Sequence, residues 1–271
     1  MMLLKSKKRF LTLSLILISG ISVFVFGLGS TGLVDETPPL FASAGRAMSE
    51  SGDWLTPKVN GIYRFDKPPL MYWLMGFFYS LPKNDIWDDL GTLSARLPSA
   101  LASLSLMLVI GDTLFRPQKG GRKMSPPIVG ALAFALSPLV IIWSRTAVSD
   151  SLLCGTLGVS LLLFWRRMAS NKDKVCILPW CFLGFAILTK GPVALALATL
   201  TITIFLFTQK NWENLLQKIA LKKGVWITFT ISSPWYFLEL LKEGKPFWDS
   251  FFGYHNFQRY TSVVNNHSEP I

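Results

Sequence analysis

Apolar runs near 10–29, 97–115, 126–143, 148–165, 175–190, 192–208 and 225–241 carry few or no charges. A helix needs about 20 residues to cross the hydrocarbon core of a bilayer. The first three runs reach that length. Those ending at 165 and 190 reach it only with their flanking residues. Backbone in lipid must satisfy its own hydrogen bonds, so such runs are read as helices. The expected fold is therefore all-α, a polytopic transmembrane bundle of about seven spans. Lys5, Lys7, Lys8 and Arg9 precede the first run as they would in a signal peptide. The stretch is long and lacks a clear small-x-small cleavage site, so it is read as an uncleaved span.

Composition removes several alternatives. Half of the residues are apolar (51%) and 16% are charged, which excludes disorder. Three cysteines, Cys154, Cys176 and Cys181, give no disulfide framework; within the runs they read as packing residues. The net charge of +11 would fit a nucleic-acid partner until it is divided by side. With the N-terminus inside, inner segments hold sixteen Lys and Arg, in four groups of four from Lys5 to Lys223. Asp112, Asp173 and Glu213 offset them, leaving +13 inside and −2 outside. This is the positive-inside pattern of a membrane protein, and nucleic acid has no place in it.

The long first outer loop, 30–96, should be functional. Leu40, Phe41, Ala44, Ala47 and Met48 recur at helical spacing over 38–51, with Gly52 as a stop. This predicts a short amphipathic helix at the membrane interface. A second interfacial helix is predicted from Asp66-Lys67-Pro68-Pro69 to Leu81, with proline pre-set for its first turn. The aromatic segment after Lys242 is read as a further interfacial helix holding His255.

Nine motifs then occur in order. They begin with Asp35-Glu36, Ser51-Gly52-Asp53-Trp54, Asn60-Gly61 and Phe65-Asp66-Lys67-Pro68-Pro69-Leu70-x-Tyr72-Trp73. They continue with Ala95-Arg96-Leu97-Pro98, Arg145-Thr146-Ala147-x-x-Asp150, Leu188-Thr189-Lys190-Gly191-Pro192, Pro234-Trp235-Tyr236 and His255-Asn256-x-x-Arg259. Together they resemble the polyprenyl-phosphate-sugar-dependent glycosyltransferases of the GT-C fold. That superfamily includes the lipid A aminoarabinose transferases and protein O-mannosyltransferases.

The resemblance implies transfer of a sugar from an isoprenoid phosphate to a lipid, protein or glycan acceptor. It implies an inner-membrane protein with its site on the outer, periplasmic face. Asp35 matches the general base, and Asp150 the second outer acid, which positions substrate or a metal. Lys67 and Arg259 match the cations that hold the lipid phosphate, with Lys190 as a headgroup contact and Glu36 beside Asp35 as a substrate contact. Asp66 and His255 match positions that bind a divalent metal, zinc or magnesium. The motif departs from the family where Thr37-Pro38-Pro39 follows the acidic pair in place of an Arg and a Tyr. The resemblance therefore does not extend to the donor sugar. By length, 1–271 is expected to be the N-terminal part of such a transmembrane domain, with the C-terminal half absent. Two other readings compete with transfer. A lipid-linked-sugar flippase would want charges within its spans, which are nearly free of them. A truncated, inactive scaffold is the other.

Overall fold

The computed structural model describes residues 2–81, 88, 90–116, 126–169, 177–209 and 212–258. It is almost entirely helical. Helix α1 (Met2–Gly20) runs into a π-helical turn, Ile21–Val25. Helix α2 (Thr37–Ser51) follows and stops at Gly52, whose φ of 74° puts it in the left-handed region. A small hairpin, β1 (Lys58–Val59) and β2 (Ile62–Tyr63), pairs Lys58 with Tyr63. Helix α3 (Leu70–Ser80) starts just after Pro68-Pro69. Next come α4 (Leu93–Phe115), α5 (Pro127–Ala135), α6 (Pro138–Ser144), α7 (Ser149–Ala169), α8 (Leu178–Lys190) and α9 (Pro192–Phe207). The chain closes with α10 (Trp212–Ile219), α11 (Leu221–Glu243), α12 (Lys245–Phe247) and the π-helical Trp248–Gln258.

A helix stands at each of the seven expected runs, and helices also occupy both stretches expected to be helical within 30–96. Among the described residues, three helical stretches are long and apolar enough to cross a membrane: Ser6–Val25, Leu93–Phe115 and Ser149–Ala169. The expected straight span at 126–143 is instead two helices bent by 66°, a fourth crossing if they act as one. The break falls at Ser137-Pro138, where proline can open a helix but cannot continue one. Leu178–Lys190 and Pro192–Phe207 are shorter, at about 20 and 24 Å. The cysteines divide: Cys154 is exposed, Cys181 is half-buried, and Cys176 lies outside the described residues.

Small residues let the helices approach closely, as packing in lipid requires. Gly155 of α7 sits against Ala102 of α4, where an added methyl would lie 2.8 Å from the Ala102 Cβ. On α2, Gly45 meets Met75 and Gly76 of α3, and Phe41 stacks on Tyr72 with centroids 5.1 Å apart. Polar atoms cross between helices where the packing allows. Ser99 Oγ donates to the Val148 carbonyl (3.1 Å), Ser160 Oγ to that of Pro179 (2.7 Å), and Thr228 Oγ1 to that of Trp180 (3.0 Å). At one end of the bundle Asp112 of α4 pairs with Arg9, Arg116 and Arg166, joining α1, α4 and α7.

At the other end, the segment after α2 is tied to α11. Trp235 Nε1 donates to the Leu55 carbonyl (3.0 Å), and Trp73 Nε1 to that of Trp54 (2.6 Å). Thr56 Oγ1 donates to the buried Glu239 (3.2 Å). Lys242 and Lys58 both reach Asp53 at 3.1 Å. Burial opposes ionisation of Asp53. The hydrogen bonds from Lys242, Lys58 and the Thr56 and Leu55 amides outweigh it and hold the carboxyl well below its ordinary range.

Two substitutions probe these contacts. A methyl at Gly224 would land in the indole of Trp180, so Gly224→Ala should loosen α8 from α11 and cost about 1–3 kcal/mol in detergent unfolding. Asp53→Asn should lower the thermal midpoint at neutral pH by an amount worth up to about 1 kcal/mol. A carboxyl with a lowered folded pKa stabilises above its ordinary value, near 4, and loses that contribution as pH falls. The gap between wild type and Asp53→Asn should therefore narrow in acid.

Candidate functional site

The segment that carries Asp35 has no secondary structure of its own, and two arginines hold it. Arg145, between α6 and α7, donates to the carbonyls of Val23 (3.0 Å), Phe26 (3.0 Å) and Gly27 (3.3 Å). Arg96 of α4 donates to the carbonyls of Leu28 (2.8 Å) and Gly32 (2.7 Å) and to Thr31 Oγ1 (2.5 Å). Thr92 Oγ1 adds a bond to the Thr31 carbonyl (2.9 Å). These carbonyls lie in the last turn of the π-helical segment or beyond it, where helices leave carbonyls short of donors, and the guanidiniums supply them. Asp35 follows at φ 76°, and its Oδ1 accepts from the Glu36 amide (2.7 Å). An aspartate tolerates this left-handed conformation better than most residues.

Below this segment lies a cavity of about 450 Å³, in the range that holds small ligands. Its walls come from most of the chain. Asp35, Asp66, Lys67, Asp150, Lys190 and His255 all line it, so six of the eight expected site residues converge although they span 220 positions. Glu36 is exposed at the start of α2, outside the lining. Arg259 lies outside the described residues.

Two ion pairs dominate the charge of the walls. Lys190, the last residue of α8, contacts Asp150 in the first turn of α7 at 2.6 Å. Arg64, just after the hairpin, pairs with Asp66 at 2.8 Å and donates from Nε to the Tyr72 hydroxyl at 3.2 Å. Tyr72 in turn donates to Asp66 Oδ1 (3.0 Å). Burial drives its phenol well above the ordinary range, aided by the Asp66 charge, so it stays a donor. The Arg64 guanidinium also lies 5.4 Å from the Phe41 ring centroid. Lys67 Nζ donates to the Asp66 carbonyl (3.0 Å).

Arg64, Trp143, Thr146 and Phe251 line the cavity without having been expected there. For Arg64 a signal existed: a cation two residues before an acid that itself precedes the expected phosphate lysine. Trp143 and Phe251 carry no such mark, because aromatics in such segments read as interfacial anchors.

The two expected metal ligands, Asp66 and His255, share the cavity. Both oxygens of Asp66 already accept hydrogen bonds, from Arg64 and Tyr72. Among the described residues no group of three or more His, Cys, Asp or Glu is placed to hold an ion, whereas zinc takes at least three protein ligands.

A second, apolar groove of about 390 Å³ runs between α8, α9 and α11, lined by Trp180, Ile187, Leu195, Phe229, Tyr236 and Phe252. It meets the cavity at the turn between α8 and α9. There Gly191, at φ 67°, leaves room for Phe251, Tyr236 and Pro68 to close around the backbone.

Known proteins resemble this chain in sequence and in fold. The chain is 33% identical to an uncharacterized protein of Aquifex aeolicus, over 92% of this chain and 54% of that protein. It is 25% identical to the undecaprenyl phosphate-alpha-4-amino-4-deoxy-L-arabinose arabinosyl transferase of Pseudomonas paraeruginosa, over 96% of this chain and 46% of the relative. The crystal structure of ArnT from Cupriavidus metallidurans bound to undecaprenyl phosphate superposes with a TM-score of 0.75 at 27% identity, over 92% of this chain and 45% of that one. Its apo structure gives 0.76 at 26% identity. The chain thus spans about half the length of the curated relatives it matches. Residues 66–237, more than half of the sequence, match the profile of one family, and the protein belongs to it: the dolichyl-phosphate-mannose-protein mannosyltransferases.

Proposed function

We propose that this chain forms the donor half of a membrane glycosyltransferase that takes its sugar from a polyprenyl phosphate. One observation carries the reading. A single cavity gathers a carboxylate on a tethered loop, Asp35, with a cationic wall of Arg64, Lys67 and Lys190. In the proposed reaction Asp35 accepts the proton of an acceptor hydroxyl. The hydroxyl oxygen bonds to the sugar C1 as the bond from C1 to the phosphate oxygen breaks. The carrier phosphate leaves with the electron pair, and Lys67, joined by Arg259, balances its charge. Asp150 and Lys190 shape the sugar side of the cavity as a pair. Arg96 and Arg145 act as positioning residues for Asp35.

The apolar groove beside the 190–193 turn supports the same reading. A polyprenyl chain needs an apolar path next to the site of its phosphate, and this groove offers almost no polar surface. The resemblance to a structure bound to undecaprenyl phosphate supports the carrier class. We also propose the full topology: seven crossings, the N-terminus inside, and the cavity on the outer face of the plasma membrane. The acceptor is a lipid, protein or glycan on that face. The bent pair α5–α6 would count as one crossing, and α8 and α9 would cross as short helices that leave room above their turn.

The test is transfer of labelled sugar from polyprenyl phosphate by membranes holding the protein. Asp35→Asn should reduce turnover by about 10²–10⁴-fold while carrier binding persists. Undiminished transfer in that variant would remove Asp35 from its role. Lys67→Met should weaken binding of the bare polyprenyl phosphate about tenfold or more, measured by displacement of a labelled carrier. Unchanged displacement would remove Lys67 from the phosphate site.

A further inference from the structure

Helix α4 carries Arg96 near its first turn, beside the cavity, and Asp112 near its last. The Asp112 cluster therefore lies at the far end of the bundle, and the proposed function leaves it unused. Three guanidiniums converge there on one carboxylate, from Arg9 of α1, Arg116 just after α4 and Arg166 of α7. Their exposure sorts them. The Arg166 side chain is only 14% exposed. It is spent on Asp112, on Thr113 Oγ1 (2.6 Å) and on the Val109 carbonyl (2.6 Å), and so fastens α7 to α4. The side chains of Arg9 and Arg116 are 45% and 53% exposed. Each turns its Nε and Nη2 onto Asp112, and its Nη1 has no partner among the described residues.

One carboxylate balances one guanidinium. Two positive charges thus remain within hydrogen-bonding range of the same two oxygens, and two of the three forks keep a free, accessible edge. Lys7 and Lys8 precede Arg9 and are exposed, so the field around the pair is positive. The residues that follow Arg9 into the span are apolar and uncovered: Phe10 is 76% exposed and Leu11 62%. A ligand with a negative head and an apolar body fits both surfaces. A phosphodiester offers one negative charge and two non-bridging oxygens, which a pair of guanidinium donors matches. In the proposed topology this end faces the inner leaflet, where basic groups at the ends of spans meet anionic lipids.

We propose that Arg9 and Arg116, braced by Asp112, bind the phosphate of an anionic phospholipid of the inner leaflet. The site goes beyond the sugar chemistry: it rests on the topology proposed above and not on the transfer reaction. Arg166 holds the helices together, and the two exposed arginines hold the lipid.

The experiment measures apparent Kd for lipids on the chain in neutral detergent, by native mass spectrometry. The probes are phosphatidylglycerol, phosphatidylcholine with the same acyl chains, and inorganic phosphate as a competitor. Phosphatidylglycerol should bind about tenfold or more tightly than phosphatidylcholine, at roughly 1 kcal/mol per basic residue. Arg9→Gln with Arg116→Gln should bring the two lipids within about twofold. Lys222→Gln with Lys223→Gln removes the same charge from other exposed positions and should keep the preference. Arg166 stays in every variant, so the link between α4 and α7 survives. Arg116→Gln alone, which leaves Arg9 on Asp112, should cost about threefold of the preference and carries the test if the double variant does not fold. Equal binding of the two lipids by the wild-type chain overturns the proposal. So does a preference that survives loss of both arginines, since a lipid held at the cavity would be indifferent to them. A preference that falls as far in the lysine pair shows a general field and no site, and also overturns it. Displacement of phosphatidylglycerol by an equal concentration of inorganic phosphate marks a soluble-anion site and overturns the lipid assignment. The polyprenyl-phosphate reading stands or falls on transfer and carrier displacement, whichever of these results is found.

Discussion

The site depends first on carbonyl groups that a helix leaves behind. Where the π-helical turn after α1 ends, the backbone from Val23 to Gly32 presents carbonyl oxygens to donors from far along the chain. Arg145 and Arg96 take six acceptors there between them. A guanidinium suits this task because its donors are fixed in one plane and always charged. Without these contacts the segment would be free to follow solvent, and Asp35 with it. One arginine comes from α4 and the other from the connection between α6 and α7, so they also fix α4 and the 145–148 connection against the end of α1. The position of one carboxylate is thereby coupled to the packing of three elements.

The same economy governs the opposite wall. The chain between Asp53 and Lys67 has only a six-residue hairpin, Lys58–Tyr63, yet it carries Arg64, Asp66 and Lys67. It is held by contacts from far along the sequence: the indole of Trp235 on the Leu55 carbonyl, and Glu239 under Thr56. Glu239 is fully buried, and its Oε1 has no partner among the described residues. A buried carboxyl with one oxygen unpartnered is costly.

What could be read from the sequence was local. Period and punctuation marked α2 and its stop at Gly52, and proline chemistry placed the start of α3 within a few residues. Both features depend on neighbours within one or two turns. The bend at Ser137-Pro138 carries a local mark in Pro138, but the apolar run continues across it and reads as one straight span. The π-helical segments escaped because an extra residue in a turn leaves no compositional mark. Of the site, Asp35, Asp66, Lys67, Asp150, Lys190 and His255 were identified by motif, and the cavity brings them together. Arg96 and Arg145 were visible as motif members, but their task was not, since it depends on carbonyls more than 60 and 110 residues away. Arg64 becomes meaningful only once the hairpin turns it back on Asp66 and Tyr72.

The short helices α8 and α9 then make physical sense. At about 20 Å, α8 is shorter than the roughly 30 Å of a hydrocarbon core. In the seven-span topology its charged end, Lys190, would sit below the outer surface. Irregular backbone and charge are tolerated at that depth only where they line a cavity and find partners. Lys190 meets both conditions through the cavity and Asp150, and Gly191 reverses the chain at a φ that few other residues accept. The turn contributes to both: Lys190 and Val193 line the polar cavity, Ile187 and Pro192 the apolar groove. A headgroup and an isoprenoid chain need such a junction, and a full-length helical pair would have filled it.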